Sequence, residues 1–434
     1  MAGEWKQFML GELCSLITDG KHGDCQADPD SGFYFLSVKD VLNNRLVYEN
    51  ARQITKEDFI ETHRRTNLEP GDVLFTNTGT IGRMAIAPSD SRTFRTTFQK
   101  SVAILKPRRD LIEPSFLYYT LHFENARLSE FAAGTTQKNL LLKDMRSFAV
   151  EVPDLPEQRA IARILATLDD KIELNRRMSE TLEAMAQALF KSWFVNFDPV
   201  RAKVEGHDPG LPKPLAALFP DRFVDSELGE VPLGWEVFPL PDVIEVNPSR
   251  SLRKGEVAPY LDMANVPTNT ARVDQIFERE FGSGTKFRNG DTLLARITPC
   301  LENGKTAFVD FLSGGQVGWG STEFIVLCPK SPLPPEFAYF LARDEGFRTF
   351  SISNMTGTSG RQRVPADCFA NYLLAAPIAQ VAKAFGRFSE GVMQKIKSND
   401  EESSTLASLR DALLPKLISG ELRVKDAERI VEIV

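Results

Sequence analysis

The sequence has few cysteines and none of the spacings that build a disulfide framework or a zinc site. Its five cysteines are scattered over 434 residues and form no Cys-x-x-Cys pair. This excludes disulfide-stapled and zinc-ribbon folds and favours free thiols in a reducing compartment. We find no basic segment followed by an apolar run at the start, and no long uncharged apolar stretch. We therefore expect a cytoplasmic protein without a membrane segment.

The chain also lacks an excess of positive charge. It has 52 Lys and Arg against 59 Asp and Glu, which gives a net charge of −7. This balance excludes a non-specific basic coat for nucleic acid, but not a sequence-specific binder that keeps its positive charge local. Residues 151–230 contain 10 basic and 15 acidic residues, so this segment contributes −5 of the −7.

The motifs of common catalytic sites are missing as well. Gly304-Lys-Thr ends like a nucleotide-binding loop, but Pro299 stands where that loop begins with Gly. No Asn/Asp-Pro-Pro-aromatic loop or Gly-rich methyl-donor fingerprint occurs. Asp154, Asp169 and Lys171 formally match a nuclease motif, but the last two lie within a predicted helix. We predict that this chain is not an enzyme by itself and holds no cofactor or metal.

One large unit of sequence occurs twice in the chain. Five short strings recur in the same order, at offsets from 219 to 230 residues. Matched positions in the paired strings are Trp5 and Trp235, Gly71 and Gly290, Val102 and Phe324, Phe116 and Phe337, and Gly134 and Gly357. This period is too long for a solenoid and indicates a tandem duplication.

Each copy has a globular part followed by a long helix. The globular parts contain short β-like runs such as 72–76, 101–105 and 323–327, and a helical pattern at 114–123, which together favour an α+β fold. After Pro156, apolar residues such as Ile161, Leu165 and Leu168 alternate at spacings of four and three for over four heptads. A second such pattern starts near Val381. Since a lone amphipathic helix of this length would expose its apolar stripe, we expect the two helices to pair.

These patterns divide the chain into six segments. Residues 196–234 are rich in Pro and Gly and read as an extended crossover. The predicted segments are a first globular domain (1–153), a central helix (154–196), an extended connector (197–230), a second globular domain (231–375), a distal helix (376–423) and a C-terminal tail (424–434).

Basic and polar side chains concentrate in a few places that could bind a polyanion. The run from Ser91 to Arg109 has six basic residues and no acid, so it fits either phosphate contacts or a solvated strand face. The loops 76–83 and 134–139 have counterparts at 296–305 and 357–363. Their amides, hydroxyls and arginines suit base edges and phosphates, although ordinary polar turns look the same.

We predict nucleic-acid contacts at the basic and polar positions of these segments. They are Arg64, Arg65, Thr78, Thr80, Arg83, Arg92, Arg95, Lys100, Thr136, Gln137, Lys138, Arg250, Arg253, Lys254, Arg296, Asn303, Lys305, Thr358, Ser359, Arg361, Gln362 and Arg363.

The connecting segments resemble a known family. Residues 155–162 read LPEQRAIA, 168–175 read LDDKIELN, 187–200 read QALFKSWFVNFDPV, 227–237 read ELGEVPLGWEV and 413–423 read LLPKLISGELR. With these strings the chain resembles the DNA-specificity subunit of type I restriction-modification systems over nearly its full length.

The resemblance implies two target recognition domains joined by two long helices in an antiparallel coiled coil, related by a pseudo-two-fold axis. Each domain would read one half of a bipartite, asymmetric site in double-stranded DNA, and the helices would set the distance between the halves. Two modification (methyltransferase) subunits that use S-adenosylmethionine would dock on the helices. Restriction and translocase subunits that use ATP and Mg would join for cleavage in defence against foreign DNA.

For the docking of partner subunits we predict contacts at seven helix positions. They are Glu157, Gln158, Trp193, Phe194, Gln380, Leu413 and Leu417. The second copy has Ala376-Pro-Ile-Ala-Gln where the first has Leu155-Pro-Glu-Gln, so its Glu is missing and we expect two unequal docking sites. A coiled-coil scaffold with two protein-binding globules remains the alternative reading of the whole chain.

Overall fold

The computed structural model describes residues 5–42, 44–132, 138–273, 275–358 and 360–431. Its α-helices are α1 (Leu10–Leu13), α2 (Lys56–Thr66), α3 (Pro114–Phe123), α4 (Asn125–Glu130), α5 (Leu142–Arg146), α6 (Leu155–Phe190), α7 (Asp198–Val204), α8 (Lys213–Ala216), α9 (Leu240–Val243), α10 (Glu336–Arg343), α11 (Glu345–Ser353), α12 (Ala379–Ile418) and α13 (Val424–Val431). Short 3₁₀ helices cover Val38–Asp40, Thr93–Arg95, Met263–Asn265 and Ala366–Asn371, and a π-helical turn follows α6 at Lys191–Val195.

The strands are short and fall into two groups, before α6 and between α7 and α12. The first group is β1 (Lys6–Met9), β2 (Cys14–Asp19), β3 (Tyr34–Leu36), β4 (Val41–Leu42), β5 (Arg45–Leu46), β6 (Arg52–Gln53), β7 (Val73–Thr76), β8 (Met84–Ile86), β9 (Thr96–Phe98), β10 (Val102–Pro107) and β11 (Ala149–Val152). The second group is β12 (Phe223–Ser226), β13 (Gly229–Pro232), β14 (Glu236–Pro239), β15 (Ile244–Val246), β16 (Val257–Leu261), β17 (Phe277–Glu280), β18 (Thr285–Phe287), β19 (Thr292–Ala295), β20 (Thr306–Phe308), β21 (Gly318–Gly320), β22 (Phe324–Pro329) and β23 (Leu373–Ala376).

The chain forms two compact units. Unit 1 comprises residues 1–172 and 404–434, and unit 2 comprises residues 173–403. Each long helix therefore contributes one part to unit 1 and the other part to unit 2. The mixture of helix and sheet confirms the α+β class predicted from the sequence.

Unit 1 is built on an antiparallel sheet of order β2-β10-β7-β8. A smaller sheet, β6-β3-β9, contains a parallel pair between β3 and β9. The first and last strands of the globule, β1 and β11, pair with each other just before α6 begins. The strands predicted at 72–76 and 101–105 and the helix predicted at 114–123 are confirmed as β7, β10 and α3.

Unit 2 contains an antiparallel sheet of order β15-β22-β19-β20. A second sheet, β17-β16-β21-β18, contains a parallel pair between β16 and β21. Here β14 and β23 pair just before α12 begins. The strand order of the main sheet, the parallel pair in the smaller sheet and the closing pair thus occur in both units.

In unit 1, apolar residues from both long helices enter the core of the globule. Ile161, Leu165 and Leu168 of α6 lie in the same buried cluster as Leu413 and Leu417 of α12. The predicted heptad positions face this core because every third or fourth residue falls on one side of a helix.

In unit 2, aromatic side chains fill the core beside the helices. The ring of Phe190 on α6 lies 5.0 Å from that of Phe337 on α10 and 5.9 Å from that of Phe385 on α12. Buried polar residues also lie between α6 and α12 in this unit. Asn175 and Asn399 are both buried, and Asn175 donates to the carboxylate of Glu402 at 2.8 Å.

Two segments differ from the sequence-based expectation. The connector predicted to be extended contains α7, α8 and the β12–β13 hairpin. Its prolines are compatible with the two helices because Pro199 and Pro214 occupy first-turn positions, where proline is tolerated. The predicted C-terminal tail is helical over Val424–Val431. Among the described residues, no helix is long and apolar enough to cross a bilayer.

Candidate nucleic-acid interface

In unit 1, two predicted loops meet at one edge of the main sheet. The loop after β7 places Asn77 beside Leu140, whose backbone N–H donates to the Asn77 carbonyl at 2.8 Å. The Thr78 hydroxyl donates to the side-chain oxygen of Asn139 at 2.8 Å. On its other side, the Asn77 N–H donates to the Ser101 carbonyl at 3.0 Å. These hydrogen bonds hold three chain segments together at this edge.

The loop between β7 and β8 is held in one conformation by its own hydrogen bonds. The Thr76 hydroxyl donates to the Thr80 carbonyl at 2.6 Å and accepts the Arg83 N–H at 2.8 Å. Gly82 has a φ of 91°, and a Cβ there would lie 2.3 Å from Asn125. A side chain at this position would be strained and would clash with Asn125, so the turn requires glycine here.

The cations predicted for unit 1 do not form one patch. Lys100 is exposed in the turn before β10, at the edge that carries the loops, and Lys138 is exposed beside them. Arg64 is exposed on α2, whereas its neighbour Arg65 forms an ion pair with Asp19 at the end of β2. The Arg83 guanidinium is half-buried and donates to a backbone carbonyl at 3.2 Å.

The basic run from Ser91 to Arg109 is divided by the fold. Arg92 pairs with Asp90 at 2.8 Å and lies 4.6 Å from the Tyr48 ring, and Arg95 follows before β9 begins. Because β9 and β10 then cross the globule, Lys106 reaches the opposite edge of the sheet. The run therefore does not form one continuous patch, and the predicted contacts at Arg92, Arg95 and Lys100 stay predictions.

In unit 2, the corresponding loops also lie side by side. The loop from Arg296 to Lys305 joins β19 to β20, and its Thr298 N–H donates to the Gln362 carbonyl at 3.0 Å. The Val364 N–H donates to the Arg296 carbonyl at 2.9 Å. The structure thus brings together the second predicted loop pair at the equivalent edge of the second sheet.

Arg250 is a structural counter-ion. It pairs at 2.9 Å with Asp291, whose side chain is 1% exposed, next to the start of β19. Lys106 makes the same contact with buried Asp72 at 2.7 Å in unit 1. Burial raises the pKa of Asp72, and the Lys106 ammonium opposes that rise. Because a buried carboxylate needs its cation, this ion pair disfavours the predicted contact of Arg250 with nucleic acid, which stays a prediction.

The remaining positions of unit 2 vary in availability. Exposed residues are Arg253, Lys254, Asn303, Thr358 and Arg361, whereas Gln362 is half-buried. The ammonium group of Lys305 donates to the backbone carbonyls of Met263 and Ala264, at 2.6 and 3.2 Å. The predicted contacts Thr136, Gln137 and Ser359 lie outside the described residues.

Several predicted partner contacts are buried within this chain. Gln158 is 1% exposed, and its amide bonds the backbone of Glu113, Leu111 and Pro153. The other buried positions are Trp193, Phe194, Leu413 and Leu417. Their side chains pack in the protein's own core and offer a partner little surface, so their partner contacts are predictions that this burial disfavours. Glu157 is half-buried and Gln380 is exposed, so both stay predictions.

The formal nuclease residues have structural roles. Asp154 accepts the Glu157 N–H at 3.0 Å, as a residue preceding a helix commonly does. Asp169 accepts the Tyr119 hydroxyl at 2.7 Å and pairs with Arg410 at 2.6 Å, so it is not simply a solvated position. Within the described ranges, no group of three or more His, Cys, Asp or Glu side chains is arranged to hold a metal ion.

At the edge of unit 2 that carries the paired loops, one residue was missed by the sequence analysis. Glu323 binds the guanidinium of Arg363 through both carboxylate oxygens. A search for polyanion-binding residues passes over acids. The repeat could have found it, because Glu323 directly precedes β22 as Ser101 directly precedes β10.

Comparison with known proteins finds a matching family model for the first part of the chain and relatives that match most of its length. The family model for the type I restriction modification DNA specificity domain matches residues 2–184. This segment is therefore similar to that domain. The whole chain resembles the specificity subunit of type I restriction enzyme HindI from Haemophilus influenzae, with 24% identity covering 96% of this chain and 100% of the relative. It is 25% identical to the MjaIX specificity subunit of Methanocaldococcus jannaschii, covering 90% of this chain and 87% of the relative.

The fold is similar to that of a solved specificity subunit. The crystal structure of the type I restriction-modification S subunit from M. genitalium matches with a TM-score of 0.56 and 16% sequence identity, covering 96% of each chain. The resemblance inferred from the connecting strings is therefore confirmed.

Proposed function

We propose that this chain is the DNA sequence-specificity subunit of a type I restriction-modification complex, and that each unit reads one half of a bipartite, asymmetric DNA site. One observation carries the proposal. In both units, two polar loops from distant parts of the sequence meet at the same edge of a sheet with the same strand order. Their side chains differ, as two readers of different half-sites require.

The long helices set the distance between the two half-sites in this proposal. The 36 residues of α6 and the 40 residues of α12 correspond to rods of roughly 54 and 60 Å at 1.5 Å per residue. About 55 Å matches roughly 16 base pairs at 3.4 Å per base pair. We assign residues 1–153 and 231–375 to recognition domains, 154–196 and 376–423 to an antiparallel coiled coil, 197–230 to a connector and 424–434 to a terminal segment.

The catalytic steps belong to other subunits in this proposal. Modification subunits that use S-adenosylmethionine dock on the helices, and restriction and translocase subunits that use ATP and Mg join them. The exposed side of α6 supports such docking, since Leu174 and Met185 are 53% and 54% exposed and lie three helical turns apart. The charge of residues 151–230 also suits contact with protein rather than with DNA.

A selection from random duplexes tests the proposal. The full chain is assembled with the modification subunit of its own system, and bound duplexes are sequenced. We expect enrichment of a split sequence with a fixed spacer, and only weak binding by the chain alone. Equal affinity of the complex for all duplexes would contradict specific reading. Absence of any DNA binding would favour the coiled-coil scaffold.

A further inference from the structure

A carboxylate holds one arginine of the unit 2 edge in a fixed orientation. The Nε of Arg363 lies 2.9 Å from both carboxylate oxygens of Glu323, and its Nη2 lies 2.7 Å from Oε1. The Nη1 donates to the Arg361 carbonyl at 3.3 Å. Contacts on both sides of the guanidinium leave one hydrogen on each Nη pointing forward, as a parallel fork.

The backbone fixes the two partners relative to each other. The Arg296 N–H donates to the Glu323 carbonyl, and the Val364 N–H donates to the Arg296 carbonyl, both at 2.9 Å. Arg363 also exchanges two backbone hydrogen bonds with Thr356, at 2.8 and 2.9 Å. A side chain held this way meets the requirement that a reading group be preorganised by its supports.

Stability is a weak explanation for this pair. The Arg363 side chain is 43% exposed and that of Glu323 is 22% exposed, and ion pairs at such sites contribute little to folding. A carboxylate at a DNA-binding edge also repels phosphates. Its presence there is understandable if it orients the arginine toward a base.

We propose that Arg363, positioned by Glu323, reads a guanine in the half-site of unit 2. The parallel fork of an arginine bonds the O6 and N7 acceptors of guanine in the major groove. Adenine offers an amino group where guanine offers O6, so two donors would face each other. This inference rests on the proposed function of unit 2 and adds the base that it selects.

Arg361 provides a matched comparison two residues away. Its side chain is exposed, and none of the ion pairs found among the described residues involves it. An unclamped arginine suits a phosphate, which attracts it without regard to sequence. Replacing Arg363 should therefore change base preference, whereas replacing Arg361 should weaken binding to every sequence.

The test measures base preference and salt dependence for the assembled complex of full chain and modification subunit. Duplexes carry each of the four base pairs at every position of the selected site. Arg363→Ala and Arg363→Lys should lower the preference for guanine at one position by roughly 5- to 150-fold. Glu323→Gln should lower it at the same position by a smaller factor, with Arg363 still present.

Arg361→Ala should weaken binding to every duplex alike and reduce the salt slope by about one. An unchanged base profile in Arg363→Ala and Arg363→Lys, with the wild-type site still selected, overturns the inference and leaves the proposed function intact. A wild-type complex without any preferred sequence refutes the proposed function itself. Thermal unfolding of each variant checks that a changed profile does not come from misfolding.

Discussion

The two units place different side chains on the same arrangement of strands. At the sheet edge of unit 1, a hydroxyl and an amide meet, Thr78 and Asn139, whereas unit 2 presents a carboxylate and a guanidinium, Glu323 and Arg363. The backbone contacts between the loops are alike. The comparison teaches that the scaffold fixes where a reading group stands, and that local sequence decides what it can read.

The units also differ in how they hold the long helices. In unit 1, the start of α6 is tied to the start of α3 by the buried amide of Gln158. In unit 2, the long helices meet a core of aromatic rings around Phe190. Unit 1 thus adds a buried polar tie to its apolar contacts with the long helices, whereas the contacts around Phe190 in unit 2 are between aromatic rings.

The largest effect is expected where the aromatic core is opened. Phe190 is fully buried among four aromatic rings, so Phe190→Ala should destabilise unit 2 by about 3–5 kcal/mol. Hydrogen exchange measured by mass spectrometry should show lost protection in peptides from 231–403. Met185→Ala on the same helix, at a 54% exposed position, should change stability by no more than about 0.5 kcal/mol. Equal loss from both variants would contradict an aromatic anchor.

A smaller effect, confined to the other unit, is expected at Gln158. Gln158→Leu keeps the size of the side chain but leaves the Glu113 N–H and two buried carbonyls without partners, which should cost about 1–3 kcal/mol. The loss should appear by hydrogen exchange in peptides around 111–113 and 153–158. Gln380→Ala, near the start of α12, serves as the exposed control. A loss of protection centred on unit 2 would break the distinction between the two attachments.

The sequence predicts much of the fold because its signals are local. Short apolar runs bounded by turn residues predict β7, β10 and β22, and Glu113-Pro114 predicts the start of α3. The heptad patterns predict both long helices for the same reason. The recurrence of strings at matching positions also predicts which loops belong together.

The candidate site is less predictable because pairing between distant residues decides which side chains are available. Arg250 is neutralised by a buried carboxylate 41 positions away, and the basic run near Arg92 is divided when the strands after it cross the globule. The heptad pattern allows Trp193 to face either a partner or the core, and only the fold shows that the core covers it. Local patterns carry no information on these contacts.

The central claim is that each unit reads its own half-site independently. Replacing residues 1–150 with the corresponding domain of a relative and mapping the methylated sequences of both complexes tests this claim most directly. We predict that one half of the methylated site changes, while the other half and the spacer stay as in the wild type. A change in both halves would contradict the account.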